Sequence, residues 1–393
     1  MNKKTIKDIN ITGKRILLRT DYNVSLRGAK IADDTRIRQT FQTLNFLLAK
    51  KCTIIIISHL DDPGGKYNEK LSLRLVARDL EKILGKKVYF ETDYLSQKGQ
   101  EKIDRFGPKK IILLENLRFN PQEEANDSEF AQKLAQLGEI FVNDGFGVSH
   151  RQHASVVGIA KFLPAVAGLL LEKEVNIISQ TLAHSAHPFV AIVGGAKTET
   201  KINLLGKLME KADTILLGGC LANTFLLAKG FSLGKSVVDR DAVGRAKRLL
   251  AQAKAKKVEF VLPVDVVLGK PDTNFIDPSV PVDKIAPQLQ AFDIGPQTEA
   301  LFGRVIDEAK TIIWSGPMGM IENNEYARGT DFIFYAISQN RQARSIVGGG
   351  DTIAAIGKKE YLEGITHIST GGGAMLEFIE KGTLPGIEVL EDK

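Results

Sequence analysis

Short apolar runs alternate with longer amphipathic segments along most of the chain. The first half has β-branched runs that predict strands, at 15–19, 52–58, 86–90, 110–115 and 139–144. The second half has a further set, at 188–195, 213–219, 259–264, 310–316, 345–350 and 367–373. Helix-like patterns, such as those at 73–84 and 128–137, lie between such runs. This alternation predicts an α/β fold with βαβ units and parallel sheets in both halves, covered by helices on both faces.

A helix is predicted at the boundary between the halves. Residues 168–183 have helical periodicity and no strand character. The last residues, GTLPGIEVLEDK, are too few for another βαβ unit and must pack on structure already formed. We therefore predict four segments, namely an N-lobe at 1–168, a connecting helix at 169–184, a C-lobe at 185–375 and a tail at 376–393 that packs on the N-lobe.

The residues that follow the predicted strands differ between the two halves. In the first half they are polar or basic, among them Asp21, Asn23, His59, Arg118 and Arg151. In the second half they are mainly glycines, at 194–195, 218–219, 316, 348–350 and 371–373. Ligands of open α/β sheets bind outside the carboxyl ends of the strands. The two halves are therefore predicted to bind different ligands.

The polar half carries several arginines that suit an anion. Guanidinium groups match phosphate and carboxylate oxygens, although Arg36, Arg118 or Arg151 taken singly also fits a surface ion pair. Together with His59, His153 and the loop at 20–23, they favour convergence on one small polyanion.

The glycine-rich half favours a bound phosphate chain. Glycines between a strand and a helix let backbone N–H groups approach phosphate oxygens, and VGGGDTIAAIG at 347–357 has this plan. Asp351 is then a candidate Mg²⁺ carboxylate, with a helix N-cap as the alternative. The segment STGGGAMLEFI at 369–379 repeats the plan. Lys197 and Lys201, four residues apart, share one helix face and suit phosphates, or are simply exposed lysines.

Common nucleotide-binding and hydrolase fingerprints are missing from the chain. No G-x-G-x-x-G follows the first strand, and GFSLGKS at 230–236 is one residue short of a P-loop and follows a helical segment. A nucleotide site in one half and a small-anion site in the other half together predict phosphoryl transfer between the two ligands. That reaction needs positioning, Mg²⁺ and cations around the transferring group more than covalent chemistry from the protein.

Composition narrows the class of protein. The chain has 393 residues, a net charge of +6 and 43% hydrophobic residues, typical of a globular protein. No apolar run reaches the roughly 18 residues that span a bilayer, no signal-peptide pattern opens the chain, and Cys52 and Cys220 fit no metal spacing. We expect a cytoplasmic protein without membrane association. The basic excess of the first half raises nucleic acid as a ligand, but no basic tract or stacking motif supports it.

The chain resembles the phosphoglycerate kinase family from about residue 15 to the end. The matching stretches are RTDYN, DDTRIRQT, SHL, LLENLRF, NDGFG–SHRQHAS, IVGGAK–TK, LPVDVV, DIGPQT, IWSGPMG, VGGGDT and HISTGGGAMLE. The resemblance implies a reversible phosphoryl transfer from 1,3-bisphosphoglycerate to ADP, which gives 3-phosphoglycerate and ATP in glycolysis or gluconeogenesis. It also implies two Rossmann-like lobes joined by a hinge helix, a tail that returns to the N-lobe, and a monomer whose lobes close for direct in-line transfer.

The resemblance also implies roles for individual residues. The implied phosphoglycerate ligands are Asp21, Asn23, Arg36, His59, Arg118 and Arg151. The implied ligands of the magnesium nucleotide are Lys201, Gly218, Gly219, Glu322, Gly349, Gly350, Asp351 and Thr352, with Asp351 on the metal and Glu322 on the ribose. The implied catalytic groups are Arg36, Lys197, Gly371, Gly372 and Gly373.

Several positions depart from the family pattern, among them the family's N-D-A-F-G-T-A-H-R, which is NDGFGVSHR here. The family motif S-H-L-G-R-P is SHLDDP here, so Asp62 stands in place of an arginine that binds the substrate. The family motif W-N-G-P is WSGP here, with Ser315 in place of asparagine. We expect Asp61 and Asp62 to face solvent or a cation such as Lys66, because a carboxylate beside an anionic substrate is unfavourable. The departures keep open an alternative, a nucleotide-binding protein of this fold with impaired catalysis.

Overall fold

The computed structural model describes residues 1–28, 30–270, 273 and 275–393, without the side chains of Thr200, Asp351 and Lys359. The chain forms two compact units. The first unit comprises Met1–Asn176 together with Thr383–Lys393, and the second comprises Ile177–Gly382.

The first unit is built on a parallel sheet. Its strands are β1 (Arg15–Arg19), β2 (Leu26–Arg27), β3 (Lys30–Ile31), β4 (Thr53–Ile57), β5 (Val88–Glu91), β6 (Ile111–Leu114), β7 (Ile140–Asn143) and β8 (Ala165–Ala167). The parallel sheet has the order β5-β6-β4-β1-β7-β8, and β2 and β3 form a separate hairpin. The helices are α1 (Thr35–Gln39), α2 (Phe41–Ala49), α3 (Arg74–Leu84), α4 (Gln97–Arg105), α5 (Pro121–Glu124) and α6 (Ser128–Ala135).

Burial on both faces explains the apolar strands of this sheet. Every residue of β4 is buried, including four successive isoleucines, although alternate side chains of a strand point to opposite faces. Helices must therefore cover both faces, and one face packs Ile54 and Ile56 against Leu44 and Leu80. Strand β1 lies between β4 and β7, so the residues that follow these three strands come together at one edge.

Helix α7 (Leu169–Ala183) coincides with the predicted connecting helix. The first turn of α7 is capped by a residue that is distant in the sequence. Asp144 Oδ1 accepts the backbone N–H groups of Leu170 and Leu171 at 2.8 and 3.3 Å. Burial raises the pKa of Asp144 to about 6, despite these hydrogen bonds.

The second unit also contains a parallel sheet, so the predicted α/β fold with two parallel sheets is confirmed. The strands are β9 (Phe189–Val193), β10 (Thr214–Leu217), β11 (Glu259–Val261), β12 (Asp265–Gly269), β13 (Ile276–Pro281), β14 (Gln290–Ile294), β15 (Thr311–Ser315), β16 (Arg344–Gly348) and β17 (His367–Ser369). The parallel sheet has the order β11-β10-β9-β15-β16-β17. The helices are α8 (Thr198–Leu208), α9 (Gly219–Ala228), α10 (Val243–Lys256), α11 (Pro296–Glu308), α12 (Arg328–Gln339), α13 (Gly350–Ala354) and α14 (Gly373–Lys381).

An antiparallel sheet in the second unit was not predicted from the sequence. Its order is β13-β12-β14. Strand β13 contains two prolines, which are normally confined to sheet edges or bulges, and β14 is only partly buried. Neither strand therefore carries the apolar run by which the other strands were recognised.

The tail from Thr383 belongs to the first unit and contains α15 (Pro385–Glu388). It packs on the N-terminus, where Lys4 N–H donates to Glu391 O at 2.8 Å and Lys3 pairs with Asp392 at 2.8 Å. The tail begins later than residue 376, because α14 continues through Lys381 and ends at Gly382, whose φ is 78°.

Candidate active site

The polar residues that follow β1 and β4 form a connected group in the first unit. Asp21 Oδ2 accepts from Arg36 Nη1 at 2.6 Å, which fixes the guanidinium of α1 beside the end of β1. Asn23 Oδ1 accepts the backbone N–H of Asp61 at 2.8 Å, and Arg118 Nη1 donates to the carbonyl oxygen of Asp61 at 2.9 Å. The loop after β4 is thus held by two of the residues predicted to bind the substrate.

Histidine His59 is buried among positive charges. Its pKa is held well below the usual value, first by burial and then by the cations Arg19, Arg118 and Arg36. The same argument applies to His153, whose pKa falls to about 4 through burial and the charges of Arg118, Arg19, Arg151 and His150. The structure therefore brings Arg36, His59 and Arg118 together, and it places exposed Arg151 near His153. This concentration of cations suits an anionic ligand.

Two residues of this cluster were not among the predicted site residues. Arg19 is 1% exposed, and its Nη2 lies 3.5 Å from His59 Nδ1. Its Nε has no hydrogen-bond partner among the described residues. Glu123 is fully buried, where Ser155 Oγ and N donate to it at 2.5 and 3.0 Å, and its charge opposes those of Arg19 and Arg118. The position of Arg19, a charged residue at the end of the first buried strand, could have identified it as a site residue from the sequence.

Asp62 takes no part in this cluster. Its side chain is exposed and Oδ1 accepts the backbone N–H of Gly64 at 3.2 Å, as in an Asx turn. Asp61 is also exposed and has φ of 55°, a left-handed conformation that fits the glycine of the family motif. Within the described part of the chain, neither carboxylate forms an ion pair, with Lys66 or any other cation. Exposure to solvent, one of the two expected arrangements, is the one observed.

In the second unit, the carboxyl ends of β9, β15, β16 and β17 border a cavity of about 510 Å³. Its walls contain most of the nucleotide ligands predicted from the sequence, namely Lys201, Gly219, Glu322, Gly349, Gly350 and Thr352, together with the predicted catalytic residues Lys197, Gly372 and Gly373. Gly218 and Gly371 are not in the cavity wall. Gly218 packs against Met318, and the N–H of Gly371 donates to Ser369 Oγ at 3.1 Å.

Lys201 is nearly buried in the wall of this cavity. Its Nζ donates to the carbonyl oxygen of Gly194. A Cβ atom added to Gly195 or Gly316 would lie only 2.6 Å from that Nζ, and both glycines have positive φ, 88° and 93°. Glycine is favoured at both positions because it tolerates this backbone conformation, and a Cβ atom at Gly316 would also clash with the backbone oxygen of Gly194.

Ser315 and Thr352 lie in the same region of the cavity wall. Thr352 Oγ1 accepts the N–H of Gly316 at 2.8 Å, and Trp314 Nε1 donates to Gly316 O at 2.8 Å. These bonds fix the turn after β15. The Thr352 hydroxyl oxygen is thereby engaged with the protein, while its hydrogen can still be donated.

The magnesium residue predicted from the sequence, Asp351, has a side chain outside the described residues. Its backbone is the second residue of α13, between Gly350 and Thr352 in the cavity wall. Among the described residues no three acidic, histidine or cysteine side chains cluster as a metal site. Magnesium ions in proteins are usually bound through one or two carboxylates together with phosphates and water.

A family model described as Phosphoglycerate kinase matches residues 6–382. The chain belongs to the phosphoglycerate kinase family. Proteins named phosphoglycerate kinase from Pelotomaculum thermopropionicum and Dictyoglomus turgidum are 44% and 45% identical to it, over all of both chains. Solved structures of phosphoglycerate kinases from Coxiella burnetii and Pyrococcus horikoshii superpose with TM-scores of 0.82 and 0.85, at 37% and 31% identity, each covering 98% of both chains.

The comparisons confirm the function predicted from the sequence, which is reversible transfer of a phosphoryl group from 1,3-bisphosphoglycerate to ADP. Nothing in them favours the alternative of a catalytically impaired relative. As a phosphoglycerate kinase the chain is an enzyme that uses ATP and ADP as co-substrates and acts on small molecules. None of its described helices is both long enough and apolar enough to cross a membrane.

Proposed function

We propose that the first-unit cluster binds the phosphoglycerate of a phosphotransferase whose acceptor is a carboxyl group. Arg36, Arg118 and Arg151 supply positive charge, and Asn23 supplies polar contacts. Asp21 holds Arg36 by their 2.6 Å ion pair. His59 is neutral at physiological pH, because its pKa is depressed, so it acts as a hydrogen-bonding group rather than a cation. Buried Arg19 adds charge behind these residues.

We further propose that the glycine-lined cavity of the second unit binds the nucleotide. Gly349, Gly350 and the start of α13 offer backbone N–H groups for the phosphates, and Glu322 lies on the wall as the ribose ligand. Lys201, whose ammonium group donates to Gly194, lies beside Gly195 and Gly316 of the cavity wall, a setting that suits phosphate. Asp351 would hold Mg²⁺, which when bound neutralises phosphate charge in the transition state.

Transfer itself is assigned to cations and oriented amides. Arg36 and Lys197 stabilise the phosphoryl group as it moves, and the N-terminus of α14 at Gly372 and Gly373 adds positive potential. Gly371 contributes through the backbone turn, since its N–H is bonded to Ser369. The two ligands are assigned to different units, and we propose that closure of the two lobes brings the reacting oxygens in line and excludes water.

The observation that carries this proposal is the enclosure of the Lys201 ammonium between Gly195 and Gly316 in the cavity wall. A cation held at the junction of glycine-lined strand ends suits a phosphate chain. We further propose that the enzyme works as a cytoplasmic monomer, bound neither to nucleic acid nor to membranes.

A coupled assay with ATP, Mg²⁺ and 3-phosphoglycerate tests the proposal. We expect turnover that is lost without Mg²⁺ and that is saturated independently by each substrate. Folded protein without turnover would overturn it. Gel filtration with light scattering tests the monomer, and salt-dependent DNA or RNA binding would contradict the exclusion of nucleic acid.

A further inference from the structure

The segment Gly319–Gly329, which carries Glu322, is tied to strand β14 near both of its ends. Near one end, Met320 N–H donates to the carbonyl oxygen of Phe292 at 2.9 Å. At the other end, Gly329 N–H donates to Asp293 Oδ2 at 2.7 Å. Adjacent residues of one strand therefore set the position of the whole segment.

The carboxyl group of Asp293 is packed between the two ends of this segment. It is 4% exposed, and Oδ1 accepts the N–H of Ile294 at 2.9 Å. A Cβ atom added to either Gly319 or Gly329 would fall on Asp293 Oδ1, so both glycines are needed for the carboxyl group to fit. The ring of Phe292 stacks on Tyr326 of the same segment, with centroids 4.4 Å apart and planes inclined by 18°.

The contacts of Asp293 lead directly to the cavity wall. Phe292, Asp293, Gly319 and Glu322 all line the cavity assigned to the nucleotide. Glu322 lies between the two attachment points, so a displacement of Gly319 or Gly329 would move the carboxylate assigned to the ribose. A shift of about 1 Å in a positioning group can cost two orders of magnitude in rate.

We propose that Asp293 is a positioning residue for nucleotide binding, which holds the Glu322 segment against β14 without itself serving as a catalytic group. The inference rests on the proposed function, because it takes the cavity as the nucleotide site. The role belongs to the carboxyl group, since its two oxygens accept from backbone N–H groups on two separate elements.

The charge state of Asp293 supplies a distinctive readout. Burial raises its pKa to about 8, helped by Glu299 and opposed by the two backbone N–H groups and Arg328. Glu299 and Arg328 are themselves paired at 3.2 Å, and Tyr326 is the titratable ring nearby on the segment. The ionised carboxylate accepts both N–H groups best, so we expect tighter nucleotide binding as the pH rises through about 8.

The test compares Asp293→Asn with Asp265→Asn. Asp265 is a matched control, because it is a fully buried carboxylate of the same antiparallel sheet that accepts Thr298 N–H at 2.8 Å and is not in the cavity wall. At pH 9, where the wild-type carboxyl group is mainly ionised, we expect for Asp293→Asn a five- to twentyfold higher KM for ADP, with the KM for the phosphoglycerate substrate within twofold of wild type. For Asp265→Asn we expect lower thermal stability, but no selective increase in the KM for ADP relative to the KM for the phosphoglycerate substrate.

Calorimetric titration with ADP and excess Mg²⁺ separates this inference from the proposed reaction. Weaker ADP binding by Asp293→Asn supports positioning even if turnover is absent, whereas normal wild-type binding without turnover would overturn only the proposed reaction. At pH 9, an unchanged ADP affinity in a folded Asp293→Asn protein would overturn the inference. If that variant does not fold, the test is the pH dependence of ADP binding to the wild-type protein. An ADP affinity that is constant between pH 7 and 9 would also overturn the inference.

Discussion

Asp62 Oδ1 accepts the backbone N–H of Gly64 at 3.2 Å, so the carboxylate that replaces a family arginine is used to shape its own loop. The neighbouring Asp61 backbone is held by Asn23 and Arg118. Position 62 is therefore next to the proposed phosphoglycerate site, although its side chain faces solvent.

The change Asp62→Arg is expected to lower the KM for 3-phosphoglycerate about two- to fivefold, with a smaller change in kcat. The reason is that the arginine adds a cation near an anionic substrate. An ion pair at an exposed position contributes about 0.2–1 kcal/mol of binding free energy. The measurement is steady-state kinetics at low and high salt, and the gain should shrink as salt rises. Asp62→Asn keeps the turn but removes the negative charge, so its KM for 3-phosphoglycerate should lie between those of wild type and Asp62→Arg. An equal or higher KM in the arginine variant would contradict the prediction.

Replacing Lys197 by methionine is expected to reduce kcat about 10²- to 10³-fold, because a cation on the transferring phosphoryl group is lost. The matched control is Lys207→Met, a lysine of the following helix α8 that is half exposed and pairs with Glu210 at 3.3 Å. The control should retain near-normal turnover. Comparable losses in both variants would point to damage to α8 rather than to a catalytic role.

Binding of 3-phosphoglycerate is expected to raise the pKa of both His59 and His153. Arginine cations contribute to holding these pKa values low, and an anion bound among them would offset that repulsion. NMR titration of the imidazole resonances, with His153→Gln for assignment, should give a pKa of about 4 for His153 without ligand. Unchanged pKa values at saturating ligand would place the substrate elsewhere.

The low pKa of His153 also predicts a loss of stability in acid. Its folded pKa of about 4 lies below the ordinary value of 6.5, so the unfolded chain binds more protons between these values. The stabilisation is present above pH 6.5 and is lost progressively as the pH falls towards 4. In chemical denaturation of the first unit, His153→Gln should show a weaker pH dependence across this window than wild type.

Ser315→Ala is expected to raise the KM for the nucleotide about two- to tenfold. Its side chain is 3% exposed and lies in the cavity wall, and a neutral hydrogen bond is worth about 0.5–1.5 kcal/mol. The KM for 3-phosphoglycerate should not change. A nucleotide KM equal to that of wild type would show that the hydroxyl group has no ligand contact.

Gly386→Ala is expected to destabilise the first unit by about 1–3 kcal/mol and to raise the KM for 3-phosphoglycerate. A Cβ atom there would lie 2.7 Å from Val156 Cγ1 and 3.0 Å from Ser149 Cα, next to the loop of Arg151. The matched control is Gly206→Ala within α8, where a Cβ meets nothing within 4 Å. That change should be neutral or stabilising, by up to about 1 kcal/mol. Equal thermal stability of the two variants would contradict the argument.

Local patterns predicted every strand of the two parallel sheets except the three-residue β8, but they did not predict the antiparallel sheet. Strand β4 was visible because four isoleucines in sequence are buried on both faces. Strand β13, with two prolines and partial burial, has no such pattern. Its pairing with β12 depends on long-range contacts, which no local window of sequence contains.

The sequence by itself determined the α/β class, the family and several of the residues that line the cavity, because strand periodicity and glycine after a strand are local consequences of backbone geometry. Only the tertiary structure decided that Arg19 and Glu123 lie buried beside the residues proposed to bind phosphoglycerate, that Asp62 turns to solvent, and that Asp293 accepts the N–H of Gly329 at the end of the segment that carries Glu322. These outcomes depend on burial, charge balance and hydrogen bonds between distant segments. Such relationships exist only once the strands have been ordered in space.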